Sequence, residues 1–214
     1  MTSKTVKWLL GVLAAVVIAV AAVLVITHRD TEVSTDQAFV EYVVEDFDYA
    51  KSFTTDEHQV FVYEVQATLA KPVSELDEDG LGVVGYNFIY QTADSVYIRQ
   101  RNLETGSVRD TSIFGKWMGS MNIKDLDFEY GYLEALEQLR EADIVLPDGD
   151  KLTLRNPTSS DWGAPLWIFG TNGSGFVYVR TDDGTVAPMN GVDSLAVAEP
   201  STIEVVVDST AVAE

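Results

Sequence analysis

The chain contains no cysteine and only two histidines, His28 and His58, among 214 residues. Cysteine-ligated zinc, redox dithiols and cysteine nucleophiles are therefore excluded, and a nucleophile that needs an imidazole base finds none with company. Basic side chains are scarce as well: 14 Lys and Arg stand against 34 Asp and Glu, and none follows Arg180. A formal charge of −20 repels phosphate backbones and argues against nucleic acid as a partner, although a salt-rich habitat would explain the same bias with no partner at all. Also missing are the Gly-x-Ser-x-Gly elbow, the Ser-x-x-Lys pair, the His-Glu-x-x-His helix and the phosphate-binding Gly-x-x-x-x-Gly-Lys loop. What is present is a composition 46% hydrophobic and 22% charged, that of a chain able to build a core.

From Trp8 to Ile26 no residue carries a charge. As a helix this stretch would span roughly 28 Å, close to the hydrocarbon thickness of a bilayer. The expectation is a single transmembrane helix over 8–26, a cytoplasmic N-terminus over 1–7 and the remainder outside, since Lys4 and Lys7 precede the stretch and only Arg29, beside Asp30, comes after it. The competing reading is a cleaved secretory signal, for which Ala19-Val20-Ala21 has the small-x-small form. Both readings export the rest of the chain, and the first makes the lipid bilayer a partner of residues 8–26. Gly11, Ala15 and Ala19 form a small-residue stripe of the kind that arises easily in an alanine-rich segment.

Beyond the apolar stretch two segments echo each other at their punctuation residues, roughly 80 residues apart. Thr68-Leu69-Ala70-Lys71-Pro72-Val73-Ser74 parallels Thr153-Leu154-Arg155-Asn156-Pro157-Thr158-Ser159, and Asn87-Phe88-Ile89-Tyr90 parallels Leu166-Trp167-Ile168-Phe169. Val96-Tyr97-Ile98-Arg99 then matches Val177-Tyr178-Val179-Arg180, and Glu104-Thr105-Gly106-Ser107-Val108 matches Asp182-Asp183-Gly184-Thr185-Val186. A helix is predicted from Thr35 to Phe47 behind the capping box Ser34-Thr35-Asp36-Gln37, and another from Asp127 to Ala142 on the stripe Tyr132, Leu133, Leu136 and Leu139. Each helix is succeeded by strands: Val60–Leu69, with Phe61, Tyr63, Val65, Ala67 and Leu69 on one face, then a hairpin of 83–90 with 95–101; and Lys151–Arg155, then a hairpin of 166–170 with 176–180. The expected fold is α+β: the membrane helix, then two tandem helix-plus-three-stranded antiparallel units over 34–112 and 113–189, then an acidic, mostly disordered tail over 190–214. The short run Ile203 to Val207 in that tail could add a strand to an open sheet edge.

Tyr178-Val179-Arg180-Thr181-Asp182-Asp183-Gly184-Thr185-Val186 resembles the turn that closes the last strand of the PepSY-like domains of bacterial exported proteins, and Arg101 to Val108 resembles it more loosely. Arg180 and Asn102 stand where that family carries an aspartate. The resemblance implies a helix followed by three strands in each unit and, as partner, an exported protease or a cell-wall synthesis enzyme.

Among residues that could carry chemistry, Glu75-Leu76-Asp77-Glu78-Asp79-Gly80 opens like a calcium loop, but Tyr86 stands where the closing glutamate belongs, which favours a solvated acidic loop. Trp162, in the loop Ser160-Asp161-Trp162-Gly163, together with Tyr97 and Tyr178, is assigned to a protein-binding surface. No cofactor, metal or catalytic residue is expected. The reading is a non-enzymatic, membrane-anchored extracytoplasmic module that binds or regulates another exported or membrane protein. Its alternatives are a structural subunit of a membrane or envelope assembly and a hydrolase using a carboxylate pair.

Overall fold

The computed structural model describes residues 34–158 and 162–189. Helix α1 (Thr35–Lys51) begins where Ser34 Oγ accepts the backbone N–H of Gln37 at 3.1 Å, satisfying one of the donors that every helix start leaves open. It turns Phe39, Val43, Asp46 and Ala50 inward at helical spacing and runs four residues past Phe47, as far as the buried Ala50 and its last turn. Helix α2 (Tyr132–Glu141) has Gly131 as its N-cap and buries Tyr132, Ala135, Leu136 and Leu139. The strands are β1 (Val60–Leu69), β2 (Val83–Thr92), β3 (Ser95–Asn102), β4 (Val108–Phe114), β5 (Lys151–Arg155), β6 (Leu166–Thr171), β7 (Gly175–Arg180) and β8 (Val186–Met189).

All eight strands join one antiparallel sheet in the order β4-β3-β2-β1-β5-β6-β7-β8. This overturns the expectation of two tandem helix-plus-three-stranded units. Each helix is followed by four strands, and the two sets are continuous because β1 pairs with β5 from Glu64↔Arg155 to Thr68↔Lys151. The physical reason is an edge problem. Val65 and Ala67 on β1, like Leu152 and Leu154 on β5, are buried strand residues whose backbones would be left unpaired in separate sheets. Among the described residues no helix is long and apolar enough to cross a membrane. The stretch 8–26, expected to be such a helix, lies outside the described residues, as does the tail 190–214.

The core lies between the helices and one face of this sheet, with Phe39, Phe88, Leu136, Leu152, Leu154 and Phe169 among its fully buried side chains. A bulge at Tyr63 decides which β1 residues reach it. Val62 pairs with Tyr90 and Glu64 with Ile89, so Tyr63 has no partner and the alternation shifts by one. Val60, Val62, Val65, Ala67 and Leu69 face the helices, whereas Phe61 and Tyr63 turn to the other side, contrary to the single face expected for them.

A buried carboxylate ties helix α1 to the first half of the sheet. Asp46, at 0% exposure, accepts hydrogen bonds from Tyr86 Oη (2.6 Å), Arg99 Nε (2.8 Å) and Arg101 Nη2 and Nε (2.7 and 3.3 Å). The guanidinium of Arg99 lies over the ring of Tyr49 and that of Arg101 over Tyr42, 4.1 and 4.3 Å from the centroids. Arg99 also holds Asp110 of β4 at 2.8 Å, so the contact chain runs from α1 through β2 and β3 to the sheet edge. A second buried acid, Asp36, accepts Tyr132 Oη (2.9 Å) and the Gly82 N–H (3.1 Å), joining the start of α1 to α2 and to the residue that precedes β2. Gly80 has φ +85°, and a Cβ there would collide with the Asp36 carboxylate.

Removing the Asp46 carboxylate leaves two guanidinium groups with their main counter-charge gone, so Asp46→Ala should cost about 3–5 kcal/mol, measured as a lower urea midpoint. Burial first, and then the neighbouring carboxylates of Asp46 and Asp36, push the Tyr86 and Tyr132 phenols far above the ordinary tyrosine range. The folded state therefore retains protons that an unfolded chain releases near pH ~10, so this contribution to stability is complete below that pH and falls as pH rises beyond it. In an alkaline titration the last phenolate absorbance should appear together with loss of the circular dichroism signal. Full ionisation of all nine tyrosines in a chain that stays folded would contradict the assignment.

Candidate docking edge and open-face groove

The two edges of the sheet differ. On β4, Asn102 N donates to Ser107 O (3.0 Å) and Gly115 N to Asp94 O (2.8 Å), which fixes the hydrogen-bond phase along the whole β3–β4 ladder. Arg109, Thr111 and Ile113 direct their backbone groups to β3. Those of Val108, Asp110, Ser112 and Phe114 point out of the sheet. The outward row is long and carries no proline, and its terminal side chains Val108 and Phe114 are 41% and 86% exposed. On β8 the bond from Arg180 N to Thr185 O sets the corresponding phase and turns Val186 and Pro188 outward. Pro188 has no N–H, so β8 is short and blunted where β4 is open.

The sheet face away from the helices has three zones. At its centre Glu64 and Arg155 form an ion pair across β1 and β5, with Nε to Oε1 at 3.7 Å and both side chains 4% exposed. Residues 117–120 cross over it: Arg155 Nη2 donates to Gly119 O, Ser120 Oγ donates to Tyr63 O at 3.2 Å, and Trp117 N donates to Gln91 Oε1 at 3.0 Å. Burial pulls the Arg155 guanidinium below its usual pKa, and the Glu64 charge opposes that shift. Toward β8, Leu166, Ile168, Phe176 and Met189 make a small apolar cluster with Trp162 and Tyr178 against it.

Toward β4 lies a shallow groove of about 490 Å³ whose walls include Gln66, Asn87, Gln100 and Arg109, aligned in register across β1, β2, β3 and β4. Asn87 Oδ1 accepts from Gln100 Nε2 (3.2 Å) and Gln66 Nε2 donates to Glu64 (2.8 Å). Gly85 forms part of the floor, and a Cβ there would lie 2.7 Å from the Arg101 carbonyl oxygen of the neighbouring strand. The groove opens beside β4, so a chain laid along that edge would have Arg109, Thr111 and Ile113 to one side of it and Val108, Asp110, Ser112 and Phe114 to the other.

The structure brings together two of the three residues assigned to a binding surface. Trp162 and Tyr178 meet edge to face at 4.8 Å and 84° on the open face. Tyr97 is on the helix side, stacked on Tyr90 at 5.2 Å. The acidic loop closes on itself: Asp77 binds Lys71 Nζ at 2.7 Å and the Asp79 N–H at 3.0 Å, and its carbonyl accepts Arg140 Nε at 2.8 Å. Among the described residues no group of three or more His, Asp or Glu side chains could hold a metal ion. The β4 edge was missed by sequence reasoning, although the alternation Arg109, Thr111, Ile113 behind the turn Glu104-Thr105-Gly106 was a usable signal. In comparisons with family models, with curated proteins and with solved structures, this chain finds no match.

The hydrogen-bond phase makes adjacent positions respond differently to proline. Ser112→Pro removes an outward N–H and should leave the melting temperature within a few degrees of the parent. Thr111→Pro removes an N–H that serves β3 and should cost roughly 1–3 kcal/mol, read as a clearly lower melting temperature.

Proposed function

We propose that this protein is a non-catalytic binding module that acts outside the cytoplasm, attached to the bilayer through the apolar stretch 8–26, and that takes up an extended strand of another exported or membrane protein along β4. The observation that carries this reading is the asymmetry of the two sheet edges: β4 has an outward row of four backbone positions and no proline, and β8 has Pro188 in its outward row. Affinity then comes from main-chain hydrogen bonds, which suits a chain without diagnostic catalytic side chains. Selectivity comes from the exposed Val108 and Phe114 on one side of the edge and from Arg109 and the amide row on the other. The placement outside the membrane is supported by the uncharged run from Trp8 to Ile26 with Lys4 and Lys7 before it.

In intact cells, photo-cross-linking from position 110 should trap a protein partner, and Ser112→Pro should abolish the adduct while the fold persists. Adducts unaffected by Ser112→Pro would remove β4 as the docking edge.

A further inference from the structure

The β4 edge fits a second copy of itself. We propose that two copies of this chain pair antiparallel through β4, about a twofold axis at Thr111, so that the docking edge is covered by its own counterpart until a partner strand displaces it. This inference concerns the occupant of the edge described above and rests on that reading of β4 as an exposed docking strand.

The argument is one of register. With Thr111 opposite Thr111 of the other copy, Val108 faces Phe114, Arg109 faces Ile113 and Asp110 faces Ser112, each contact occurring twice by symmetry. The exposed aromatic at one end of the strand thus meets the exposed β-branched residue at the other, a favourable cross-strand pair, and Thr111 meets threonine. The alkyl stem of Arg109 covers Ile113, and Asp110, already held by Arg99 at 2.8 Å, faces a hydroxyl instead of another acid. The backbone phase agrees. Val108, Asp110, Ser112 and Phe114 carry the outward N–H and C=O groups, and in this register each of them faces another member of the same set, so every facing pair can exchange two hydrogen bonds. Moving the axis one residue back sets Asp110 against Asp110. Moving it one residue forward sets Asp110 against Phe114 and leaves Val108 without a partner. In a chain of formal charge −20, the segment 108–114 holds one acid and one base and is locally neutral, which lets two acidic molecules approach there.

Because the chain has no cysteine, a single introduced thiol reports the axis directly. In this register Thr111 occupies a non-hydrogen-bonded pair, whose Cα atoms lie about 4.5 Å apart and within the range of a disulfide. In full-length protein in its membranes, mild oxidation of Thr111→Cys should give a covalent dimer on a non-reducing gel. Arg109→Cys and Ile113→Cys should each stay monomeric alone and cross-link when the two are mixed. A folded Thr111→Cys that stays monomeric, or Arg109→Cys alone cross-linking as well as Thr111→Cys, overturns the proposal.

Thr111→Lys separates the two readings. It opposes two ammonium groups on the axis and should abolish self-association in sedimentation of the detergent-solubilised protein, while leaving the outward backbone groups free for a partner strand. If wild-type protein never dimerises yet Ser112→Pro loses its partner adduct, self-pairing is wrong and the docking edge stands. If Thr111→Cys cross-links while Ser112→Pro keeps its adduct, the dimer stands and the partner binds elsewhere.

Discussion

The pairing of β1 with β5 is the contact on which the rest of the architecture depends. It joins residues far apart in the chain, from Glu64↔Arg155 to Thr68↔Lys151, and turns two four-stranded sets into one floor for both helices. Without it Val65, Ala67, Leu152 and Leu154 would belong to edge strands with unpaired backbones. With it, the free edges fall at β4 and β8. The pair Glu64–Arg155 lies across this junction, and a one-residue slip of either strand would carry one of the two charges into the core. The ion pair and the apolar alternation on the opposite face therefore specify the same register.

The loop that connects the halves, residues 115–131, reinforces the junction. Ile123 bridges Val62 of β1, Met121 bridges Asn156 just past β5, and Asn122 Oδ1 accepts the Val62 N–H at 2.9 Å. The segment fills the sheet position that the short β5 leaves beside β1, and its earlier part, 117–120, covers the buried charges. From there the helix layer takes over: Asp46 gathers Tyr86, Arg99 and Arg101, and Arg99 reaches Asp110. Strand β4 is held in place from the helix side while its outer backbone remains open. That combination, a firmly held strand with an unused row, is what the proposed docking role rests on.

Periodicity and capping made the helices legible. Ser34 and Gln37 announced the start of α1, and the leucine stripe of α2 pointed to its buried face, although α2 begins at Tyr132, five residues after the expected Asp127. The first hairpin was legible because its polar tip, Gln91-Thr92-Ala93-Asp94, interrupts two apolar runs. Three features were not. The bulge at Tyr63 exchanges faces within one strand, and an alternating run with aromatics at both 61 and 63 gives no local sign of it. Strands β4 and β8 carry little buried apolar surface, since an edge strand needs none, so the alternation Arg109, Thr111, Ile113 was the one sign of β4, and β8 had none as clear. The merging of the halves is a nonlocal event, decided by which backbones would otherwise go unpaired. Of the three residues that the sequence assigned to a binding surface, Trp162 and Tyr178 meet and Tyr97 lies on the helix side. The sequence could not supply the hydrogen-bond phase of β4, which emerges only once β3 has been set against it.

The central position of β1 has a consequence for the birth of the molecule. Strand β1 is made early and its neighbour β5 late, so a nascent chain holding only the first half presents two bare margins, one of them apolar, until about forty further residues have arrived. During that interval the half-made sheet is open to the wrong neighbour on its inner side as well as its outer one. The passage from synthesis to completed fold is thus the stage at which this architecture is most exposed to misassembly.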